Sequence, residues 1–176
     1  HEDLPDCETE GIINSLRETV IIKLNGGMGT GMGLEKAKSL LPVRKGINFL
    51  DVIVKQLFHL RSSYCEDLRF LLMNSFSTSD DTKSYLSKYP DLGNLENIEL
   101  MQNRVPKIRV DTLASVNFPD SSELEWCPPG HGDIYSSLLD TGLLDKLLNE
   151  GVRFAFISNS DNLGGTLDFN ILNSFK

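Results

Sequence analysis

The sequence has no apolar run near the roughly 20 residues that a membrane-spanning helix requires, and no basic, apolar and small-residue succession of a signal peptide opens it. A soluble, cytoplasmic protein is expected. Cysteine is scarce. Cys7, Cys65 and Cys127 are an odd number with no C-x-x-C spacing, which argues against a disulfide framework or a zinc site and for free thiols. Basic residues are outnumbered, 17 against 25 acids for a net charge of −8. That balance argues against general affinity for nucleic acid or an anionic membrane, so any phosphate site must build its positive potential locally. There is no internal repeat and no low-complexity segment. What remains is a chain of 176 residues, 40% of them hydrophobic, enough for one sizeable core.

Apolar runs suited to buried strands alternate with helical patterns, which predicts an α/β fold with a mostly parallel sheet and helices on both faces. The first strand is expected over 19–24. Phe49, Ile53, Leu57, Leu60 and Tyr64 recur at helical spacing behind Asn48, a suitable cap. Further strands are expected at 69–73, 98–101 and 153–157. Helices are expected from a Ser79 cap to about Lys88, at 134–139 and 143–148, and from Asp168 to Phe175. Residues 103–130, with four prolines and no clear period, read as an extended excursion of the functional kind. Residues 1–18 read as a polar lead-in, and 19–176 as a nucleotide-binding part whose open sheet edge and Lys176 end suggest incompleteness. Cys65, Cys127, Leu139, Phe154 and Phe156 are expected in the core.

Three segments carry chemistry. The first is Leu24-Asn25-Gly26-Gly27-Met28-Gly29-Thr30-Gly31-Met32-Gly33, behind the first strand and ahead of Lys36 and Lys38. Residues without Cβ let successive N–H groups turn toward one anion, and the lysines add full charge. The loop is neither a P-loop, since no glycine in frame precedes Lys-Ser or Lys-Thr, nor a dinucleotide fingerprint, since Met32 stands where a third glycine belongs. A flexible turn is the plainer alternative. The second segment, Pro128-Pro129-Gly130-His131-Gly132-Asp133, mounts His131 rigidly where it can donate to a sugar or phosphate oxygen, or leaves it merely exposed in a turn. In the third, Ser158-Asn159-Ser160-Asp161-Asn162-Leu163-Gly164, Asp161 can hold Mg²⁺ against a triphosphate or can make an Asx turn. The glycine loop and the third segment both fall at carboxyl ends of strands, where open α/β sheets bind ligands.

With Met73-Asn74-Ser75-Phe76 added, these motifs stand in the order and spacing of a known family. From about residue 19 to its end the chain resembles the UTP–glucose-1-phosphate uridylyltransferases, or UDP-glucose pyrophosphorylases. The resemblance implies a Rossmann-like nucleotidyltransferase fold, Mg²⁺ as cofactor, and formation of UDP-glucose and pyrophosphate from UTP and glucose 1-phosphate. It places nucleotide binding on Leu24, Asn25, Gly26, Gly27, Gly29, Thr30, Gln102, Gly130 and Asp161. Lys38 becomes the catalytic phosphate-binding lysine, with Lys36 a bystander. His131 and Asn159 become the sugar-phosphate contacts, and Asp161 the metal ligand. Gly31 departs from the family's common serine, and Leu34-Glu35-Lys36-Ala37 from its Cys-Lys-Gly-Pro. The family's members run to more than twice this length. Alternatives are a UTP-binding piece without activity and a pyrophosphorylase for another sugar. Asn25 before the glycine pair and Gly31 after Gly-Thr argue against an N-acetylhexosamine relative.

Overall fold

The computed structural model describes residues 8–28, 33 and 36–176. Its elements are α1 (Thr9–Arg17), β1 (Thr19–Leu24), β2 (Pro42–Arg44), β3 (Ile47–Asn48), α2 (Phe49–Ser63), β4 (Arg69–Asn74), α3 (Ser79–Leu86), β5 (Glu99–Met101), β6 (Val105–Pro106), β7 (Trp126–Cys127), α4 (Ile134–Asp140), α5 (Leu143–Asn149), β8 (Phe154–Asn159) and α6 (Phe169–Ser174). Strands β5, β4, β1 and β8 form, in that order, a sheet in which every pair is parallel. The remaining strands make two antiparallel ribbons, β2 with β3 and β6 with β7.

Helices cover both faces of the sheet, as the alternation of apolar runs predicts. Ile21 of β1 packs with Leu50, Ile53, Val54 and Leu57 of α2 on one face. Val20, Ile22 and Leu24 pack with Ile134 of α4 and Leu147 of α5 on the other. Because β1 and β4 are central, both of their faces are buried, and each carries an apolar run, Val20–Ile22 and Phe70–Met73. Each fully buried leucine or isoleucine of α2 contributes about 1.5–3 kcal/mol by removal from water. Strand β8 lies at the edge of the sheet and alternates half-buried with exposed positions.

Local chemistry sets the element ends. Asn48 caps α2 reciprocally: Asp51 N donates to Asn48 Oδ1 (3.0 Å) and Asn48 N to Asp51 Oδ2 (2.9 Å). Asp51 also accepts from Tyr85 (2.7 Å) and Tyr89 (2.6 Å) and pairs with Lys88 (2.7 Å), which ties α2 to the end of α3. Ser79, expected as a cap, is instead the first residue of α3, and its hydroxyl donates to Glu99 Oε1 at 2.7 Å. A side chain already committed across the sheet cannot also cap its own helix. The expected lead-in carries α1, whose Leu16 is wholly buried because its helix packs its apolar side on the core. Strand β8 runs on past Ile157, so Ser158 and Asn159 belong to the sheet.

Residues 103–130 form the β6–β7 ribbon, prolonged by an isolated bridge between Ile108 and Ser115. Cys65 is buried and Cys127 half-buried, both as free thiols, while Cys7 lies outside the described residues. Leu139, expected in the core, is 63% exposed because α4 turns that side to solvent. Among the described residues no helix is long and apolar enough to cross a membrane.

Candidate functional site

The carboxyl ends of the four parallel strands lie level, and the first residues of three connections that leave them each bond to the end of a neighbouring strand. Asn25 N donates to Met73 O (2.8 Å), Gln102 N to Asn74 O (2.9 Å) and Ser160 N to Leu24 O (3.0 Å). Leu24 is the register partner of Asn159 across β1 and β8. The glycine loop thus stands between the polar segment after β8 and Gln102 after β5.

Lys38 reaches the glycine loop by its backbone. Its N–H donates to Gly27 O (3.2 Å), Met28 bridges to Ala37, and Ala37 is buried. Lys38 is half-buried against the loop while Lys36 is exposed. Gly29 and Thr30 lie outside the described residues. Leu24 is buried in the second core, so its backbone is what it can offer a ligand.

Asn25 is different in kind. Its side-chain amide is buried and donates to Asn74 Oδ1 (2.7 Å) and Thr82 Oγ1 (3.0 Å), so it serves the scaffold under the loop. Asn74 passes the connection on to Glu99 Oε1 (2.7 Å), and Lys83 pairs with Glu99 Oε2 (2.9 Å). Burial alone would raise the Glu99 pKa, but hydrogen bonds from Lys83, Asn74 and Ser79 outweigh it and hold the carboxyl below its ordinary value. Ser75 Oγ donates to Gly26 O at 2.9 Å. This network was not legible in the sequence beyond the Met73-Asn74-Ser75-Phe76 motif, since its members meet only when three strands align.

Gln102 crosses the end of β4 to reach the loop. Parallel neighbours lie about 4.8 Å apart, so β5 and β1 are separated by about 10 Å. The Gln102 amide lies where a Cβ on Gly26 would stand, so a side chain at Gly26 would have to displace the end of Gln102. Gln102 is 5% exposed, and its Oε1 is buried with no hydrogen-bond partner among the described residues. A buried amide oxygen left unpaired costs about 1–3 kcal/mol, a cost that a ligand donor would remove.

Gly130 has φ +111°, a conformation that side-chain-bearing residues rarely adopt, and it opens the turn that presents His131 to solvent. The turn is anchored to the β5 end by Asp133, whose Oδ2 accepts from Asn103 N at 2.7 Å. Gly130 and His131 are therefore held beside the segment that carries Gln102. On the opposite side, the Asx turn after β8 is made by Asn162, whose Oδ1 accepts from Gly165 N at 3.1 Å. The Asp161 carboxylate is exposed, with no hydrogen-bond or ion-pair partner among the described residues. Asn159 is exposed next to it.

Among the described residues no group of three or more His, Cys, Asp or Glu side chains gathers to hold a metal ion by itself. That suits Mg²⁺ in one way only: one carboxylate from the protein, with phosphates and water supplying the other oxygens.

The model of the family UTP–glucose-1-phosphate uridylyltransferase matches residues 1–176. A UTP–glucose-1-phosphate uridylyltransferase of Astragalus penduliflorus is 42% identical over 170 residues, 96% of this chain and 36% of its own. The crystal structure of a Leishmania major UDP-glucose pyrophosphorylase variant in complex with UDP-glucose superposes with a TM-score of 0.89 at 46% identity, covering 99% of this chain and 36% of that one. A Trypanosoma brucei structure titled UDP-glucose phosphorylase gives 0.84 at 50% identity, with 99% and 37% covered. The chain thus spans roughly a third of the length of these relatives.

Proposed function

Because the chain belongs to the UTP–glucose-1-phosphate uridylyltransferase family, we propose that it is the nucleotide-binding part of an enzyme that transfers the uridylyl group of UTP to glucose 1-phosphate, releasing pyrophosphate. The observation that carries this reading is the meeting of Gln102 with Gly26. A buried, unpaired amide oxygen beside a backbone with no side chain suits the flat edge of a base with its own N–H donor. The Leishmania major relative is bound to UDP-glucose, the product expected here.

The roles are those that the resemblance to the family implies. Gln102 and Gly130 meet the uracil, and Leu24, Asn25, Gly26 and Gly27, together with Gly29 and Thr30, serve the ribose and phosphates. Lys38, tethered to Gly27, neutralises charge on the phosphates. His131 and Asn159 meet the sugar phosphate from opposite sides of the loop. The phosphate oxygen of glucose 1-phosphate is already ionised, so its attack on the α-phosphorus needs no general base. The new P–O bond forms as the bond to pyrophosphate breaks, and the negative charge leaves with pyrophosphate. Two anions must approach each other in a cleft poor in water, so catalysis there is positioning and neutralisation. Asp161 is the residue that would hold Mg²⁺, which when bound draws charge from the phosphates. A cytoplasmic location belongs to the same proposal.

The test is pyrophosphate release from UTP and glucose 1-phosphate with Mg²⁺, on this chain beside the full-length gene product. Activity in the longer protein alone supports the reading and makes this chain its nucleotide-binding part. Inactivity of both overturns it.

A further inference from the structure

Lys23 lies in the middle of the sheet, one residue before Leu24, and is 4% exposed. Its stem runs beside Ile21, Leu57, Phe70 and Phe156, with the ammonium 5.7 Å from the Phe156 ring centroid. No carboxylate among the described residues pairs with it, and burial pulls its pKa down. A charged group in such surroundings is costly, and packing alone would be served by an unbranched apolar side chain of similar length. Its hydrogen bonds show what it holds instead. Nζ donates to Ser158 Oγ (2.8 Å) and to Gly165 O (2.9 Å), two groups that flank the segment carrying Asn159 and Asp161. Gln56 of α2 supports the same segment by donating to Leu163 O at 3.2 Å.

We propose that Lys23 is a positioning residue: its buried ammonium clamps the 159–165 connection against β1, so that Asn159 and Asp161 are presented beside the glycine loop. The inference rests on the function proposed above for those two residues. The mechanism is mechanical. The end of β8 is pinned through Ser158 and the far end of the connection through Gly165, and between these two points the Asn159 and Asp161 side chains are exposed. Without the ammonium, Gly165 O loses its donor, and the Gln56 bond to Leu163 O, the Asn162 turn and the packing of Leu163 and Leu167 on the core remain to hold the return of the chain toward α6. Lys23 touches no reacting atom, so its effect reaches substrate only through the connection.

The experiment uses the full-length protein as wild type, Lys23→Met and Ser158→Ala, with amide hydrogen exchange over residues 159–167 and calorimetric UDP-glucose binding as readouts. Lys23→Met is expected to speed exchange in that segment about tenfold and to raise the UDP-glucose dissociation constant about tenfold. Ser158→Ala, which removes one of the two acceptors, should move both readouts about threefold in the same direction. A double variant no worse than Lys23→Met would show that both act through one contact. A residue that served stability alone would lower the melting temperature and leave the affinity of the folded protein unchanged. Exchange and affinity within about twofold of wild type in Lys23→Met overturn the clamp. Should that variant fail to fold, the same unchanged values in Ser158→Ala overturn it. Exchange needs no substrate, so failure of the wild type to bind UDP-glucose would strike the proposed function while leaving the clamp to be decided by exchange.

Discussion

The backbone N–H of Lys38 donates to the carbonyl of Gly27 at 3.2 Å, so the lysine is fastened to the glycine loop it is proposed to serve. Lys36, two residues earlier, is exposed and has no such tie among the described residues. In the full-length enzyme, Lys38→Ala should lower kcat by about a hundredfold, the loss expected when one charge of about 3 kcal/mol is removed from a phosphoryl transition state. Lys36→Ala should stay within about threefold. Equal losses in the two variants would remove Lys38 from its role, and steady-state rates with saturating UTP decide between them.

Gly26 and Gln102 compete for one space. Gly26→Ala forces the Gln102 amide away, with a stability cost of about 1–3 kcal/mol from overpacking and a raised KM for UTP. Adding Gln102→Ala should restore the melting temperature, because the space is vacated, without restoring UTP affinity. Independent, additive losses in the double variant would show that the two residues do not meet.

Asp51 gives a stability prediction with a definite sign. Burial favours its neutral form, but hydrogen bonds from Lys88, Tyr89, the Asn48 backbone and Tyr85 outweigh burial and hold the carboxyl well below the usual carboxylate range. A folded value below the unfolded one of about 4 means that the contribution is fully present above about pH 4 and is lost as pH falls through the folded value. Asp51→Ala should cost about 3 kcal/mol at pH 7, since it strands Lys88 and two tyrosine hydroxyls and removes half of a capping box. Thermal denaturation at pH 7 and pH 3 checks both parts: the gap between wild type and variant must narrow at the lower pH.

Gly130 supplies a fourth test. A side chain at φ +111° strains the backbone by about 1–3 kcal/mol, so Gly130→Ala should shift the His131 turn, raise the KM for both substrates and lower the melting temperature by a few degrees. Unchanged KM values would mean that the turn does not face the ligands.

The order of the chemistry was legible in the residues because local pattern encodes it. Strand β1 and helix α2 begin where the apolar periods and Asn48 place them, and the parallel sheet with helices on both faces follows from alternating buried strands and amphipathic helices. The positions of Gly26-Gly27 after β1, of Gly130-His131 and of Asn159 through Asp161 at the carboxyl end of β8 were read from the chain alone. Local pattern was silent where a residue's partner lies far along the chain. Ser79 looked like a cap and serves Glu99. Asp161 read as a metal ligand or a turn former, and the turn is made by Asn162. Leu16 looked like lead-in and is buried.

By itself, then, the sequence determined the class of fold and the family, because these depend on composition, period and short motifs. Only the tertiary structure decided that Asn25 belongs to the scaffold, that Gln102 closes on Gly26 across the end of β4, and that Lys23 holds Ser158 and Gly165. Each of these is a contact between residues dozens of positions apart. Its geometry exists only once the parallel register of β5, β4, β1 and β8 has brought their ends level.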